Sequence, residues 1–71
     1  MTLGELLQKK RKERRFTQDT VSNYLGVSPN YVSDIECDRK EPADFRRLLK
    51  WAMYLGITIV ELSSTEKSDN A

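Results

Sequence analysis

The sequence predicts an all-α chain, a compact bundle of five helices, and two observations carry that expectation. Apolar residues recur at helical spacing in successive stretches, and glycine stops alternate with Ser, Thr, Asp and Pro starts between them. The first helix is expected from about Thr2 to Arg14, where Leu3, Leu6, Leu7 and the stem of Lys10 share one face and the basic residues take the other. Thr17 can cap the second, whose inner face holds Val21 and Leu25, one helical turn apart. Gly26 ends it by entering the left-handed backbone region without a steric penalty, and Val27 then turns back towards the core. Ser28 followed by Pro29 starts the third, because serine caps well and proline at the first helical position gives up a donor that has no partner anyway.

That third helix is expected to run to about Glu36, with Val32 and Ile35 inward and Pro29, Asn30, Ser33 and Asp34 on its outer face. Cys37 to Pro42 reads as a polar loop. Asp44 can cap a fourth helix whose apolar face is Phe45, Leu48, Leu49, Ala52 and Leu55, closed by Gly56. Thr58 and Glu61 stand at capping-box spacing and introduce a final short helix with Ile59, Val60 and Leu62. The folded domain is therefore expected over residues 1–62, and 63–71, S-S-T-E-K-S-D-N-A, as a flexible polar tail.

Composition bounds the chemistry. A chain of 71 residues is one domain whose core is marginal unless helices pack efficiently or a second subunit covers apolar surface, so oligomerisation is expected. Cys37 is the single cysteine and histidine is absent, which removes internal disulfides, zinc-ligand clusters and Ser/His/Asp or Cys/His catalytic sets. No phosphate-cradling glycine loop occurs either. The expectation is a non-enzyme without metal, cofactor or evident small-molecule substrate, cytoplasmic and not membrane-bound, since no apolar stretch is long enough to cross a bilayer. Net charge is only +1, but Lys9 to Arg15, K-K-R-K-E-R-R, holds six bases against one acid, so a local positive field survives a nearly neutral total.

The segment from Thr17 to Glu36, T-Q-D-T-V-S-N-Y-L-G-V-S-P-N-Y-V-S-D-I-E, with Leu7 and Arg11 before it and a short basic loop and Pro42 after it, resembles the Cro and phage-repressor (XRE-like) helix-turn-helix family. The resemblance covers about Leu3 to Leu62 and implies a five-helix DNA-binding domain of the phage-repressor type, usually dimeric and acting on promoters, in which the second and third helices form the helix-turn-helix. Its buried positions fall on Leu7, Phe16, Val21, Leu25, Val27, Val32, Ile35, Leu55 and Leu62. Its recognition positions fall on Pro29, Asn30, Ser33 and Asp34, its phosphate-contacting glutamine on Gln18, and a frequent ion pair on Arg11 and Glu36. Arg15 and Asp38 stand where the family usually has glycine, and Ser22 where it usually has alanine. Strain is thus expected at Arg15, whereas an Asx residue at 38 tolerates the left-handed region.

Those side chains suit the task. Only in the major groove does every base pair offer a distinct set of donors, acceptors and methyl groups. The Asn30 amide matches the adenine edge, Ser33 donates or accepts, Asp34 accepts only and suits the cytosine amino group, and Pro29 offers contact to a thymine methyl. Affinity is expected from phosphate contacts by Gln18, Tyr31, Arg14, Arg15, Arg39 and Lys40. Trp51, Tyr54 and Val60 fall beside the main apolar stripes and form the expected dimer interface, with a core position as the alternative for Trp51. The expected function is a homodimeric repressor that reads a palindromic operator in double-stranded DNA, with room for a regulatory protein partner. A module that uses the same fold to hold another protein, as an antitoxin or antirepressor, is the alternative.

Overall fold

Each helix begins on a side chain that the sequence supplies for it. In the computed structural model, which describes residues 1–65, the elements are α1 Leu3–Glu13, α2 Gln18–Leu25, α3 Pro29–Glu36, α4 Phe45–Leu55 and α5 Ile59–Ser63. The hydroxyls of Thr2, Thr17, Ser28 and Thr58 accept from the backbone N–H three residues on, at 3.0–3.2 Å. Asp44 Oδ1 accepts from the N–H groups of Arg46 and Arg47. Every helix thus satisfies at least one of the donors that its first turn leaves open. Thr58 and Glu61 close the expected capping box, and Thr2 and Glu5 close a second one that the sequence reading did not name. Gly26 and Gly56 end α2 and α4 at φ +74° and +76°.

The helices close on a core of Leu6, Leu7, Val21, Leu25, Val32, Ile35, Trp51, Ala52, Leu55 and Ile57. Phe16, Val27 and Leu62, also expected inside, are partly buried against it. Helix α3 lies between α1 and α2, and α4 packs across both. Ser22 is buried at the α2 approach and returns its hydroxyl proton to the Asp19 carbonyl at 2.9 Å, so the small side chain fits where a larger one would hold the helices apart.

Helix α4 keeps Leu48, Ala52 and Leu55 of the expected face inward but turns Phe45 out and Trp51 in. Trp51 is 0% exposed and central to the core, whereas Phe45 is 68% exposed. The inward stripe is Leu48, Trp51, Ala52 and Leu55, which keeps the i, i+3, i+4, i+7 rule but is centred on the largest apolar side chain. Trp51 therefore leaves the expected dimer interface and joins the core. Among the described residues its indole Nε1–H meets no hydrogen-bond acceptor, and the ring is held by apolar burial alone.

Two junctions use the left-handed region without glycine, at Arg15 and Asp38, both at φ +61°. Asp38 is anchored there, because its carboxylate accepts from Thr2 Oγ1 at 2.7 Å and from the Gly4 N–H at 3.3 Å. Gly4 makes that approach feasible: a Cβ on it would lie 2.5 Å from the Ile35 carbonyl oxygen and 2.6 Å from that of Glu36. The folded part also runs past the expected boundary at 62, since Ser63 is helical, Ser64 caps α5 and Thr65 is buried with its hydroxyl on the Leu62 carbonyl. The rest of the expected tail, 66–71, lies outside the described residues.

Candidate nucleic-acid interface

A buried charge pair sets the geometry of the helix-turn-helix. Arg11 of α1 grips Glu36 of α3 with two bonds, Nε to Oε2 at 2.7 Å and Nη2 to Oε1 at 3.2 Å, and the Glu36 side chain is wholly buried. Arg11 Nη1 also donates to the Phe16 carbonyl at 2.7 Å, and Gln18 Nε2 donates to Glu36 Oε1 at 3.1 Å. One carboxylate therefore joins the end of α1, the α1–α2 junction, the first residue of α2 and the last of α3. Bidentate arginine geometry of this kind is directional, so it fixes orientation as well as distance. Gln18 keeps one amide proton and its carbonyl oxygen for an outside partner, beside the open N–H groups at the positive end of α2.

With its inner side held by Val32, Ile35 and Glu36, α3 leaves Pro29 and Asn30 exposed and Ser33 and Asp34 partly exposed. Expected and observed faces coincide. Two of these residues are already engaged, however: Arg39 Nε donates to Asp34 Oδ1 at 3.1 Å, and its Nη2 reaches Ser33 Oγ at 3.4 Å. The hydrogen bond to Asp34, with the Asp34 charge adding to it, raises the arginine pKa further. Arg39 thus lies against the outer face of α3.

Tyr31 is partly buried, its ring 6.4 Å from that of Trp51, and two cations lie over it, Lys40 Nζ at 5.7 Å and the Arg47 guanidinium at 5.8 Å. Arg47 belongs to α4 and was not legible as a neighbour of α3, because only the tertiary packing of α4 brings it there. Arg14 is exposed and engaged within the chain as well: its Nε donates to the Leu55 carbonyl at 3.0 Å, capping the C-terminal end of α4, where a cation also meets the negative end of the helix dipole. Arg15 and Lys40 are exposed.

On the side of α4 and α5, Tyr54 is also drawn inward from the expected interface. Its ring stacks on Phe16 at 4.9 Å and on Tyr24 at 3.9 Å, with Lys50 Nζ 5.0 Å from the Tyr24 centroid. Val60 stays outside at 76% exposure, and with it stand Phe45, Met53 and Ile59, none of them named from the sequence as surface residues. Phe45, Leu48, Leu49, Ile59, Leu62 and Leu3 line one groove here.

No helix is long and apolar enough to cross a membrane, and no group of His, Cys, Asp and Glu able to hold a metal ion occurs among the described residues. A family model described as a helix-turn-helix domain matches residues 4–67. Among curated proteins, the ImmF control region 10 kDa protein of Bacillus phage phi105 is 36% identical over 64 residues, spanning 90% of this chain and 70% of that protein. No solved structure matches the chain.

Proposed function

The chain belongs to the Cro and phage-repressor (XRE-like) helix-turn-helix family, and from that premise we propose that this DNA-binding regulator is a cytoplasmic homodimeric repressor reading a palindromic operator with α3. The observation that supports the reading most directly is the asymmetry of α3: its back is held by a buried ion pair while Pro29 and Asn30 stand exposed. A helix held in this way can enter a major groove without reorganising, which keeps the ordering cost of binding small. Asn30 then takes an adenine edge, Pro29 a thymine methyl, and Gln18 with the start of α2 meets a phosphate, joined by Arg15, Lys40 and the Tyr31 hydroxyl.

A lone domain covers too little DNA for tight binding, whereas a two-fold dimer sets paired recognition helices about 34 Å apart, one turn of the duplex. The apolar surface of α4 and α5 around Phe45, Ile59 and Val60 supports self-association, because solvent-exposed side chains of that size are otherwise unfavourable in so small a domain. The similar phage protein is named for a control region, which accords with repression of phage or plasmid genes.

Selection of binding sites from a random duplex pool tests the reading. A palindromic product is expected, and Asn30→Ala should then lose about 1–3 kcal/mol at one base position while Gln18→Ala weakens all sequences alike. Equal losses on selected and random duplexes with Asn30→Ala would remove its assigned role. Saturable binding to a protein partner with no affinity for DNA would replace the regulator by an interaction module.

A further inference from the structure

The accept-only carboxylate of Asp34 faces the recognition surface, yet its Oδ1 is occupied by Arg39. How Arg39 gets there is a matter of backbone. After α3 the chain reverses through Asp38 at φ +61°, with the Asp38 N–H on the Ile35 carbonyl at 3.1 Å and the Arg39 N–H on the Asp34 carbonyl at 2.9 Å. The Asp38 carboxylate is itself tied to Thr2 and Gly4 at the start of α1. The turn is therefore pinned from both sides, and the arginine side chain leaves it beside the outer face of α3.

A guanidinium has five N–H donors in a fixed plane. Here the Nε side of that plane is engaged, with Nε on Asp34 and one Nη2 proton on Ser33, while the side chain stays 60% exposed. Both Nη1 protons and the second Nη2 proton are left over, and the end of the plane is a two-donor fork. That fork matches the O6 and N7 acceptors of guanine in the major groove, the commonest specific arginine contact. Pairing with Arg39 also cancels the repulsion that a bare Asp34 carboxylate would meet near phosphate. Asp34 lies four residues after Asn30, about 6 Å further along the helix axis at 1.5 Å per residue, so the fork reaches a base different from that of Asn30.

We infer that Arg39 is a base-reading residue that takes a guanine, and that Asp34 and Ser33 are its positioning residues. This rests on the DNA-reading role proposed above and changes its code: the position expected to be a cytosine read by Asp34 becomes a guanine read through Arg39. A phosphate-contacting arginine needs charge and reach but no brace. A base reader gains from one, because an oriented planar fork loses less freedom on binding and rejects acceptors out of its plane.

The test repeats the duplex selection with wild-type protein and with Arg39→Ala, Arg39→Lys and Asp34→Asn, each first checked for an unchanged melting curve. Wild type should select guanine at one position of each half-site, and replacing it should weaken binding roughly 5- to 150-fold. Both Arg39 variants should lose that preference, lysine included, since a point charge does not reproduce the fork. Asp34→Asn, which removes a negative charge, should hold or raise affinity for random duplex while lowering the guanine preference, a split that a merely structural role does not produce. An unchanged consensus in Arg39→Ala, with uniform weakening that Arg39→Lys repairs, overturns the inference and returns Arg39 to the phosphates. A guanine preference lost only in Asp34→Asn overturns it as well. A wild-type protein that selects no consensus overturns the regulator reading itself, and the assignment of Arg39 falls with it.

Discussion

The two ends of this small bundle are finished to different degrees. Around Glu36 the polar groups are paired within the chain: its buried carboxylate accepts from Arg11 and Gln18, and Arg11 also donates to the Phe16 carbonyl. Around α5 the reverse holds: Phe45, Ile59 and Val60 expose most of their side chains beside a groove lined by Leu48, Leu49 and Leu62. The first region is set before any ligand arrives; the second is apolar surface that another surface can still cover. Buried polar contacts are thus concentrated at one end, and exposed apolar surface at the other.

Breaking the polar end should have the largest effect. Glu36→Ala strands the Arg11 guanidinium in the core and should cost about 3–5 kcal/mol in denaturant unfolding, a large share of what so small a domain has. An apolar replacement of both partners, Arg11→Met with Glu36→Leu, should recover much of that stability but leave α2 and α3 less firmly oriented. If the single and double variants unfold at the same denaturant concentration, the loss is one of packing and not of an orphaned charge.

At the apolar end the expectation is inverted. Ile59→Glu with Val60→Glu alters only exposed positions, so stability per protomer should change by less than about 0.5 kcal/mol per site. Sedimentation should instead report a loss of the proposed dimer, and a wild-type chain that stays monomeric at high concentration would leave the apolar end with no role in self-association. The smallest effect belongs to the contact that bridges the two ends, Lys10 Nζ to Glu61 Oε2 at 2.9 Å. Glu61 sits below its ordinary pKa of 4.5, held there first by the Thr58 backbone N–H and then by Lys10. Its stabilisation is complete above that value and is lost as pH falls through the lower folded value. Lys10 is raised above 10.5, chiefly by its hydrogen bond to Glu61, so its own contribution is complete below 10.5 and is lost as pH rises through the raised value. Melting temperature against pH should therefore fall more shallowly on the acid side in Glu61→Gln than in wild type, and parallel curves would show that the contact is solvated.

What was legible in the sequence was local. Caps at Thr17, Ser28, Asp44 and Thr58, stops at Gly26 and Gly56, and the outer face of α3 each depend on residues within one or two turns. The Arg11–Glu36 pair spans 25 residues and was legible only through the family resemblance. The inward face of α4 was legible only in part, because its sequence offers two overlapping apolar stripes that share Leu48, Ala52 and Leu55, one running through Phe45 and Leu49 and one through Trp51. Spacing alone does not choose between them; the partners contributed by the other helices do. The partners of Arg14, Tyr54 and Arg39 were not legible for a related reason, since each long side chain reaches a group that the backbone brings near only once the bundle has closed.

The lone indole gives the domain an optical reporter. Trp51 is the single tryptophan of the chain, is shut off from solvent and lies 6.4 Å from the Tyr31 ring of α3. Its emission should be blue-shifted in the native protein and move to the red when α3 and α4 part, so unfolding can be followed by intrinsic fluorescence without attaching a dye.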